Sequence, residues 1–443
     1  MSRERSPGVK LALVGLVALV LIVPLVMVYA LVYDRESQSQ TAQQSITQGW
    51  GGPQMVTGPV LVIPWLQQVT TSETVDGQLT SRTTRQRREL FVSPVKQSVE
   101  TTIDPDRKSY AIYESVVFES ALSGIARFEL PDDLDRMGVE TENLLLDQAE
   151  LRFGVSDPRG LNDGAQVTAD GQQLRLQPGN GPMATGGSGF SAFATWDGAQ
   201  PLEIEWQYGL RGSHSLDLIP RGGETEWTVN STWQHPSFTG FLPDNREIGE
   251  EGFAASYEGI TNLALGTALV SHDDDTSAVA ASIGLVDPVD LYSQVDRAVK
   301  YGFLFIGFTF ATFLMFDIVG GARVAAAEYL LTGAGLILFF VMLLAFAEVW
   351  GFALAYVIAA LAVIGLLTTY SAAVLGTWRR AGFIGAMLMA LYALLYVLLN
   401  METYALVIGS LLLFAALAGV MFMTRKVDWS SVGRSSGEDE GFA

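Results

Sequence analysis

The sequence predicts a membrane protein of mixed class. An N-terminal transmembrane anchor helix is followed by a large β-rich, sandwich-like extracytoplasmic domain and a C-terminal bundle of five transmembrane helices. Three observations predict this fold. Long apolar runs lie at both ends of the 443-residue chain. The stretch between them alternates apolar and polar residues and is punctuated by Gly, Pro, Asn and Asp, as strands and turns are. Lysine and arginine gather on one side of successive apolar runs, as the positive-inside rule requires.

The first apolar run, Val9 to Tyr33, follows the basic residues Arg3, Arg5 and Lys10. A hydrocarbon core of about 30 Å needs about 20 helical residues, so this run is long enough to cross a bilayer. The alternative is a cleaved signal peptide, whose apolar core has about 7–15 residues. The longer run favours an uncleaved anchor, and the polar residues 34–48 are expected to continue the helix or form a stalk.

Five more spans are predicted near the C-terminus, joined by very short connections. They are Tyr301–Gly320, Glu328–Ala347, Trp350–Ser371, Ala381–Leu399 and Thr403–Met423. With six spans, the bases near the N-terminus and those of the connections around 323, 379–380 and 425–426 fall on one side of the membrane. The opposite connections, near 348 and 400–402, contain no base. Lysine and arginine in short loops favour the cytoplasm, so both termini are expected there.

The predicted domains are residues 1–33 (cytoplasmic tip and anchor), 34–298 (extracytoplasmic β-rich domain), 299–424 (five-helix bundle) and 425–443 (cytoplasmic tail). Within the outer domain, Ala149–Phe153 and Leu202–Trp206 alternate as half-buried strands do. Many short strands separated by turns indicate a sandwich or another large antiparallel assembly. The basic, polar stretch Thr80–Glu89 is interpreted as a hairpin or a loop.

The acidic charge belongs to the outer domain. Between positions 34 and 298 the chain has 38 acidic and 17 basic residues, a net charge of −21 within a total of −20. This excess argues against a nucleic-acid partner, because phosphates require a basic surface. The chain has no cysteine, which excludes disulfides, thiol nucleophiles and thiolate metal sites.

The outer domain offers no clear catalytic pattern. Of its three histidines, His235 lies in a segment rich in aromatic and proline residues, with Trp233, Pro236 and Phe238, and this segment is interpreted as a packed structural turn. The run His272–Asp275 could hold a hard cation, but such runs are more often solvated loops. Acidic pairs that could serve a glycosidase arise by chance in so acidic a domain. No catalytic, cofactor-binding or metal-binding residue is predicted.

Acidic residues in the membrane spans are expensive and therefore informative. Asp317 and Glu348 lie near span ends, where anchoring at the interface is the simpler interpretation. The functional alternative pairs Asp317 with Arg323, or makes Glu348 a partner for another envelope protein. Glu348 could likewise pair with Arg297 or Lys300, two bases that lie on the outer side against the general preference.

Several ordered strings of residues carry a resemblance to a known family. They are Trp50–Pro64, Ile112–Ser115, Ser156–Gly160, Ser231–Pro243, Pro288–Tyr292, Arg297–Phe305, Glu328–Leu331, Phe352–Tyr356, Tyr404–Ser410 and Thr424–Trp429. Through them almost the whole chain resembles the CreD family of bacterial inner-membrane proteins, which is linked to cell-envelope integrity and colicin tolerance. The family commonly has Gln where Glu328 stands and Ser-Glu-His where residues 347–349 read Ala-Glu-Val, so no role of that histidine transfers here.

The resemblance implies a location in the bacterial inner (plasma) membrane and an envelope-integrity role, coupled in some bacteria to a sensor-kinase regulon. It supplies no catalytic residues. A non-enzymatic scaffold that binds the lipid bilayer and other cell-envelope proteins, without a cofactor, is therefore the predicted function. A transporter or channel is the first alternative, although no proline follows position 288 to break a helix. An envelope hydrolase or lipid-modifying enzyme is the second.

Overall fold

The chain divides into two compact units. A computed structural model describes residues 7–400 apart from 76–77, 111–112, 275–278, 288–290 and 319–323, and it also describes scattered positions between 407 and 425. The helical unit comprises Met1–Gln40 with Val289–Ala443, and the β unit comprises Thr41–Pro288. The helical unit thus begins before residue 298, where the β-rich domain was expected to end.

Apart from the short α2 in the β unit, the α-helices carry the N-terminus and the last third of the chain. They are α1 (Pro7–Trp50), α2 (Asn262–Leu265), α3 (Leu291–Lys300), α4 (Gly302–Ile318), α5 (Ala326–Trp350), α6 (Phe352–Leu375) and α7 (Trp378–Asn400). As predicted, α1 continues through residues 34–48. The short helix α3 places Tyr292, Val295 and Val299 on one buried face at helical spacing. Its intervening polar residues hide this pattern in the sequence.

Five helical segments of the described residues are long and apolar enough to cross a membrane. They are Gly8–Trp50, Leu291–Asp317, Ala326–Trp350, Phe352–Leu375 and Trp378–Leu399. Most of the predicted sixth span, Thr403–Met423, lies outside the described residues. Large apolar side chains such as Leu19, Val23 and Met27 on α1 are exposed, as expected of a surface that faces lipid.

Neighbouring helices of the bundle pack through small residues. In α6, Ala355 and Ala359 are fully buried one turn apart, which permits close approach of another helix. Helix α6 packs against both α5 and α7. Its two ends are marked by Gly351 and Gly376, whose positive φ angles of 79° and 65° suit glycine.

The β unit contains two mixed sheets. Its strands are β1 (Gln54–Val75), β2 (Gln78–Val92), β3 (Lys96–Tyr110), β4 (Tyr113–Phe128), β5 (Ala149–Val155), β6 (Gln166–Ala169), β7 (Gln172–Gln173), β8 (Leu176–Pro178), β9 (Gly189–Ala194), β10 (Leu202–Ser213), β11 (Ser215–Ile219), β12 (Glu224–Ser231), β13 (Pro236–Gly240), β14 (Asn245–Gly249), β15 (Gly252–Thr261), β16 (Val270–Ser271) and β17 (Ala281–Leu285). One sheet has the order β13-β17-β11-β1-β5-β9-β8, with β2 and β16 continuing from β1. The other has the order β14-β15-β12-β3-β4-β10-β6-β7.

A single apolar core fills the space between the sheets. Phe153 of one sheet meets Trp206 of the other with ring centroids 5.9 Å apart, and Phe238 meets Phe253 at 5.7 Å. These contacts confirm the predicted sandwich. The expectation of short, antiparallel strands is wrong in two respects. The strand β1 has 22 residues, and the pairs β1/β11 and β3/β12 are parallel. Parallel partners lie far apart in sequence, so no local pattern reveals them.

A two-stranded arm extends from the first sheet. Beyond Trp65, β1 and β2 pair with each other as far as Val75↔Gln78, while the pairing of β1 with β5 has already ended at Val62. We define the arm as residues 66–75 of β1 and 78–88 of β2. The stretch Thr80–Glu89 is therefore a strand of a hairpin, and the alternative of a loop is wrong.

Candidate functional sites

The segment Trp233–Phe238 of the β unit, which we call the aromatic turn, is held by contacts with main-chain carbonyls and with an arginine. The indole nitrogen of Trp233 donates to the carbonyls of His235 (3.2 Å) and Val286 (3.1 Å), while the Arg107 guanidinium lies 5.5 Å from its ring centroid. Arg107 also donates to Asp287 at 2.9 Å, and this hydrogen bond raises the pKa of Arg107. The turn thereby joins the end of β3 to the chain that leaves the β unit.

The other predicted residues of this segment fall into two environments. Pro236 begins β13 and pairs with Leu285 of β17, and Phe238 on the same strand packs edge-on against Phe253 of the opposite sheet. The side chain of His235 is exposed. The packed residues of the turn are therefore Trp233 and Phe238, and the imidazole faces solvent.

A network of hydrogen bonds around Gln54 joins two of the sequence segments that carry the family resemblance, Trp50–Pro64 and Ser156–Gly160. Gln54, fully buried at the start of β1, donates through its amide to the carbonyls of Arg211 (2.7 Å) and Asp157 (3.2 Å). Its amide oxygen accepts from the Ser156 hydroxyl and the Asp157 main-chain N–H, each at 3.3 Å. A side chain at Gly160 would come within 2.3 Å of the Arg211 carbonyl oxygen, so only glycine fits. We call these residues the Gln54 node.

Trp50, the last residue of α1, reinforces the same region. Its indole nitrogen donates to the Phe118 carbonyl at 3.3 Å. Lys108 and Arg211 lie over its ring at 4.9 and 4.7 Å from the centroid. Cations over an indole face are attracted by its quadrupole, so these contacts fix the passage from α1 to β1. In the sequence, Trp50 and Gln54 stand out only as parts of the segment Trp50–Pro64, which carries the family resemblance.

In the helical unit, Asp317 pairs with Lys10. The Nζ–Oδ1 distance is 2.8 Å, and the side chains are 2% and 26% exposed, respectively. The expected partner of Asp317 lay in the connection 319–323, which is outside the described residues. Lys10 was read from the sequence only as an orientation signal, because no local pattern links residues at opposite ends of a chain.

Glu348 has different partners from those expected. Its carboxylate accepts from the Tyr292 hydroxyl at 3.2 Å and lies 4.0 Å from the Arg35 guanidinium. Lys300 instead lies 2.6 Å from Asp296 on its own helix, and the Arg297 Nε donates to the Ser293 carbonyl at 3.3 Å. The contact expected between Glu348 and the bases of α3 is thus replaced by one that joins α1, α3 and α5.

The ionic contacts of Lys10 and Arg35 lie at different positions along the axis of α1. Lys10 and Arg35 are 25 residues apart, which corresponds to about 37 Å at 1.5 Å per residue. This distance exceeds the roughly 30 Å of a hydrocarbon core. Each contact can therefore lie at one interface of a bilayer, and the interfacial position of Asp317 and Glu348 stays a prediction.

Glu328 has a separate structural task. Its carboxylate accepts from the Ala325 main-chain N–H at 2.8 Å and so caps the beginning of α5. Glutamine can accept the same hydrogen bond, which gives a physical reason why both residues suit this position.

Of the described residues at 272–274, His272 and Asp273 are exposed, whereas the side chain of Asp274 is buried. Asp274 pairs with Arg221 at 2.6 Å, both side chains being 8% exposed, and accepts from the Met183 N–H at 2.6 Å. His272 contacts the Met137 carbonyl at 3.0 Å. Among the residues that the structure describes, no three metal-binding side chains come together.

An acidic groove of about 830 Å³ lies where β3, β12, β14 and β15 meet. Its acids are Asp104, Glu247 and Glu251. None of the residues predicted as sites lines it. The groove nevertheless borders the aromatic turn, because its lining residue Phe253 packs against Phe238 at 5.7 Å and Thr232 directly precedes Trp233.

The sequence of the whole chain matches one family. A model of the family described as "Inner membrane protein CreD" matches residues 6–430. The chain belongs to the CreD family. It is 31% identical over 423 residues to the inner membrane protein CreD of Escherichia coli K12, covering 93% of this chain and 91% of that protein. The match includes both units, so this CreD-family chain is a multi-pass inner-membrane protein with a large β unit. The name of the relative gives a location and no reaction.

Proposed function

We propose that this CreD-family protein is a non-enzymatic scaffold that supports cell-envelope integrity. Residues 34–298 lie on the periplasmic side, both termini are cytoplasmic, and the β domain binds other envelope proteins. The observation that carries this proposal is the different use of polar groups in the two units. In the helical unit the acids Asp317 and Glu348 are engaged in contacts between helices, whereas the β unit has an apolar core of its own and many exposed charged residues.

The edge of the eight-stranded sheet favours a protein partner. The terminal strand β14 is exposed along its whole length, and Ile248 on it is 51% exposed. Leu242, just before this strand, is 64% exposed. An exposed edge strand can pair with an extended segment of another chain, and apolar side chains beside it supply contact area. A transporter finds less support, because the buried acid Asp317 is neutralised by Lys10.

Photo-cross-linking in intact cells tests the proposal. A photoreactive residue is placed at Ile248 or Leu242 and, as a control, at the exposed Leu19 of α1. We expect the two β-unit positions to capture a reproducible envelope protein and the α1 position to capture lipid. Capture of only lipid or a small solute at Ile248 and Leu242 would contradict the scaffold and favour a transporter or a lipid-modifying enzyme.

A further inference from the structure

The arm concentrates positive charge in an acidic protein. Residues 78–88 contain four arginines and no acid, within a domain whose net charge is −21. Arg82, Arg85, Arg87 and Arg88 are all exposed. Among the described residues none of the four lies within 4.0 Å of a carboxylate, and the same is true of Arg136, Arg175 and Arg246. Eight other bases of the β unit do have a carboxylate within this distance. These paired bases are Lys96, Arg107, Lys108, Arg127, Arg152, Arg159, Arg211 and Arg221.

The arginines occupy both faces of the arm. Arg85 and Arg87 pair with Gln68 and Leu66, while Arg82 pairs with Thr71. Side chains alternate along a strand, so Arg82 lies on the face opposite to that of Arg85 and Arg87. A ribbon with cations on both faces cannot engage all of them on one flat surface. It suits an anionic polymer that surrounds it.

Most of the remaining residues of the arm carry hydrogen-bond donors and acceptors, chiefly Gln67, Gln68, Thr70, Thr71, Ser81, Thr83, Thr84 and Gln86. The others include the aliphatic residues Leu66, Val69, Val75 and Leu79 and one acid, Glu73. A protein interface needs a buried apolar or aromatic centre, and a binding site for single-stranded nucleic acid needs aromatic rings for base stacking. Residues 66–88 contain no aromatic residue. Hydroxyl and amide groups between arginines instead match the hydroxyls and acidic groups of a charged sugar polymer, since a guanidinium binds carboxylate, sulfate or phosphate with two parallel hydrogen bonds.

The arginines of the arm lie far from the beginning of β1. The arginines pair with residues 65–71, at about 36–56 Å along the strand from Gln54 at roughly 3.3 Å per residue. We infer that the arm is a binding site for an anionic glycan of the cell envelope, held by Arg82, Arg85, Arg87 and Arg88. This inference rests on the proposed periplasmic placement of the β domain, and it adds a ligand that the scaffold itself does not require.

Binding of heparin, a sulfated glycan, to the full chain in uncharged detergent micelles tests the inference. The arm variant Arg82→Gln/Arg85→Gln/Arg87→Gln is compared with the control Arg136→Gln/Arg175→Gln/Arg246→Gln, which changes the net charge equally at exposed arginines outside the arm. We expect the arm variant to bind on the order of tenfold more weakly or worse at about 0.1 M salt. The control should bind like the wild type, and neutral dextran should not bind.

Equal losses in the two variants would overturn the inference, because net charge alone would then explain binding. So would failure of the wild type to bind, or equal competition by polyglutamate or single-stranded DNA, which would indicate an acidic protein or a nucleic acid. If the glutamine variant unfolds, a variant with lysine at the same three arm positions keeps the positive charge. Its affinity for heparin should lie between that of the wild type and the roughly tenfold lower affinity expected without the three arginines. Failure here leaves the scaffold intact, because cross-linking at Ile248 does not involve the arm.

Discussion

Lys10 and Asp317 differ in their access to water, and this difference decides which substitution costs more. The Asp317 side chain is 2% exposed and that of Lys10 is 26% exposed. Lys10→Met leaves a buried carboxylate without a cation, which we expect to cost about 3 kcal/mol, the low end for a broken buried pair. Asp317→Asn leaves a lysine whose amine can reach water, at a cost of about 1 kcal/mol. Thermal unfolding of the purified full chain measures both.

The double variant Lys10→Met/Asp317→Asn serves as the control for this pair. It removes both charges, so it should be more stable than Lys10→Met alone. If the two single variants lose equal stability, or the double variant loses the sum of both, the ion pair does not control the stability of this part of the helical unit.

Trp233 and Trp227 provide a matched pair for the aromatic turn. Trp227 is 1% exposed, stacks on Tyr257 at 5.0 Å and donates to the Thr101 hydroxyl at 2.9 Å. Trp227→Ala should therefore cost about 3–5 kcal/mol. Trp233 is only partly buried, so Trp233→Ala should cost about 1–2 kcal/mol. Chemical denaturation distinguishes them, and an unchanged stability of Trp233→Ala with loss of envelope function would mark the turn as a binding surface instead.

At the level of elements, the Gln54 node connects β1 with the turn before β6 and with β10. Gln54→Ala leaves the Arg211 carbonyl and the Asp157 N–H without the Gln54 side chain as a partner, whereas the Asp157 carbonyl still accepts from the Gly160 N–H. Each group left without a partner costs about 1–3 kcal/mol. We expect a total loss of about 3 kcal/mol or more in the free energy of unfolding. Gln68→Ala on the exposed arm should change it by no more than about 0.5 kcal/mol. Equal effects at the two positions would show that the node contributes nothing.

The elements differ in how far the sequence predicts them. Long apolar runs and alternation over Leu202–Trp206 depend only on neighbouring residues, and the helices and β10 follow directly from them. The strand β3 was missed because Asp104-Pro105-Asp106 interrupts its pattern. The extension of α1 to Trp50 was predictable, since no proline stands between Asp34 and Trp50 and the one glycine, Gly49, comes directly before the helix ends.

Contacts within the candidate sites were less predictable than the elements. Asp317 was singled out because an acid in an apolar run is costly, yet its partner Lys10 lies more than 300 residues away and no local pattern points to it. The Gln54 node was missed for the same reason, since a single glutamine carries no sign of burial. The basic character of the arm follows from the sequence, but only the fold shows that its four arginines have no ion pair among the described residues.

At the scale of the whole molecule, the predicted orientation in the membrane is testable at several connections between the helices. In the six-span arrangement the β domain and the α5–α6 connection at Gly351 lie outside, while the α6–α7 connection at Gly376 and the chain after Trp429 lie inside. A phosphatase reporter that works only after export should be active when fused near residue 200 or at Gly351, and inactive at Gly376 or after Trp429. The fusions at Gly351 and Gly376 are internal controls, because they flank a single helix, α6. Activity both near residue 200 and after Trp429 would rule out the sixth span at Thr403–Met423 and place the C-terminus outside.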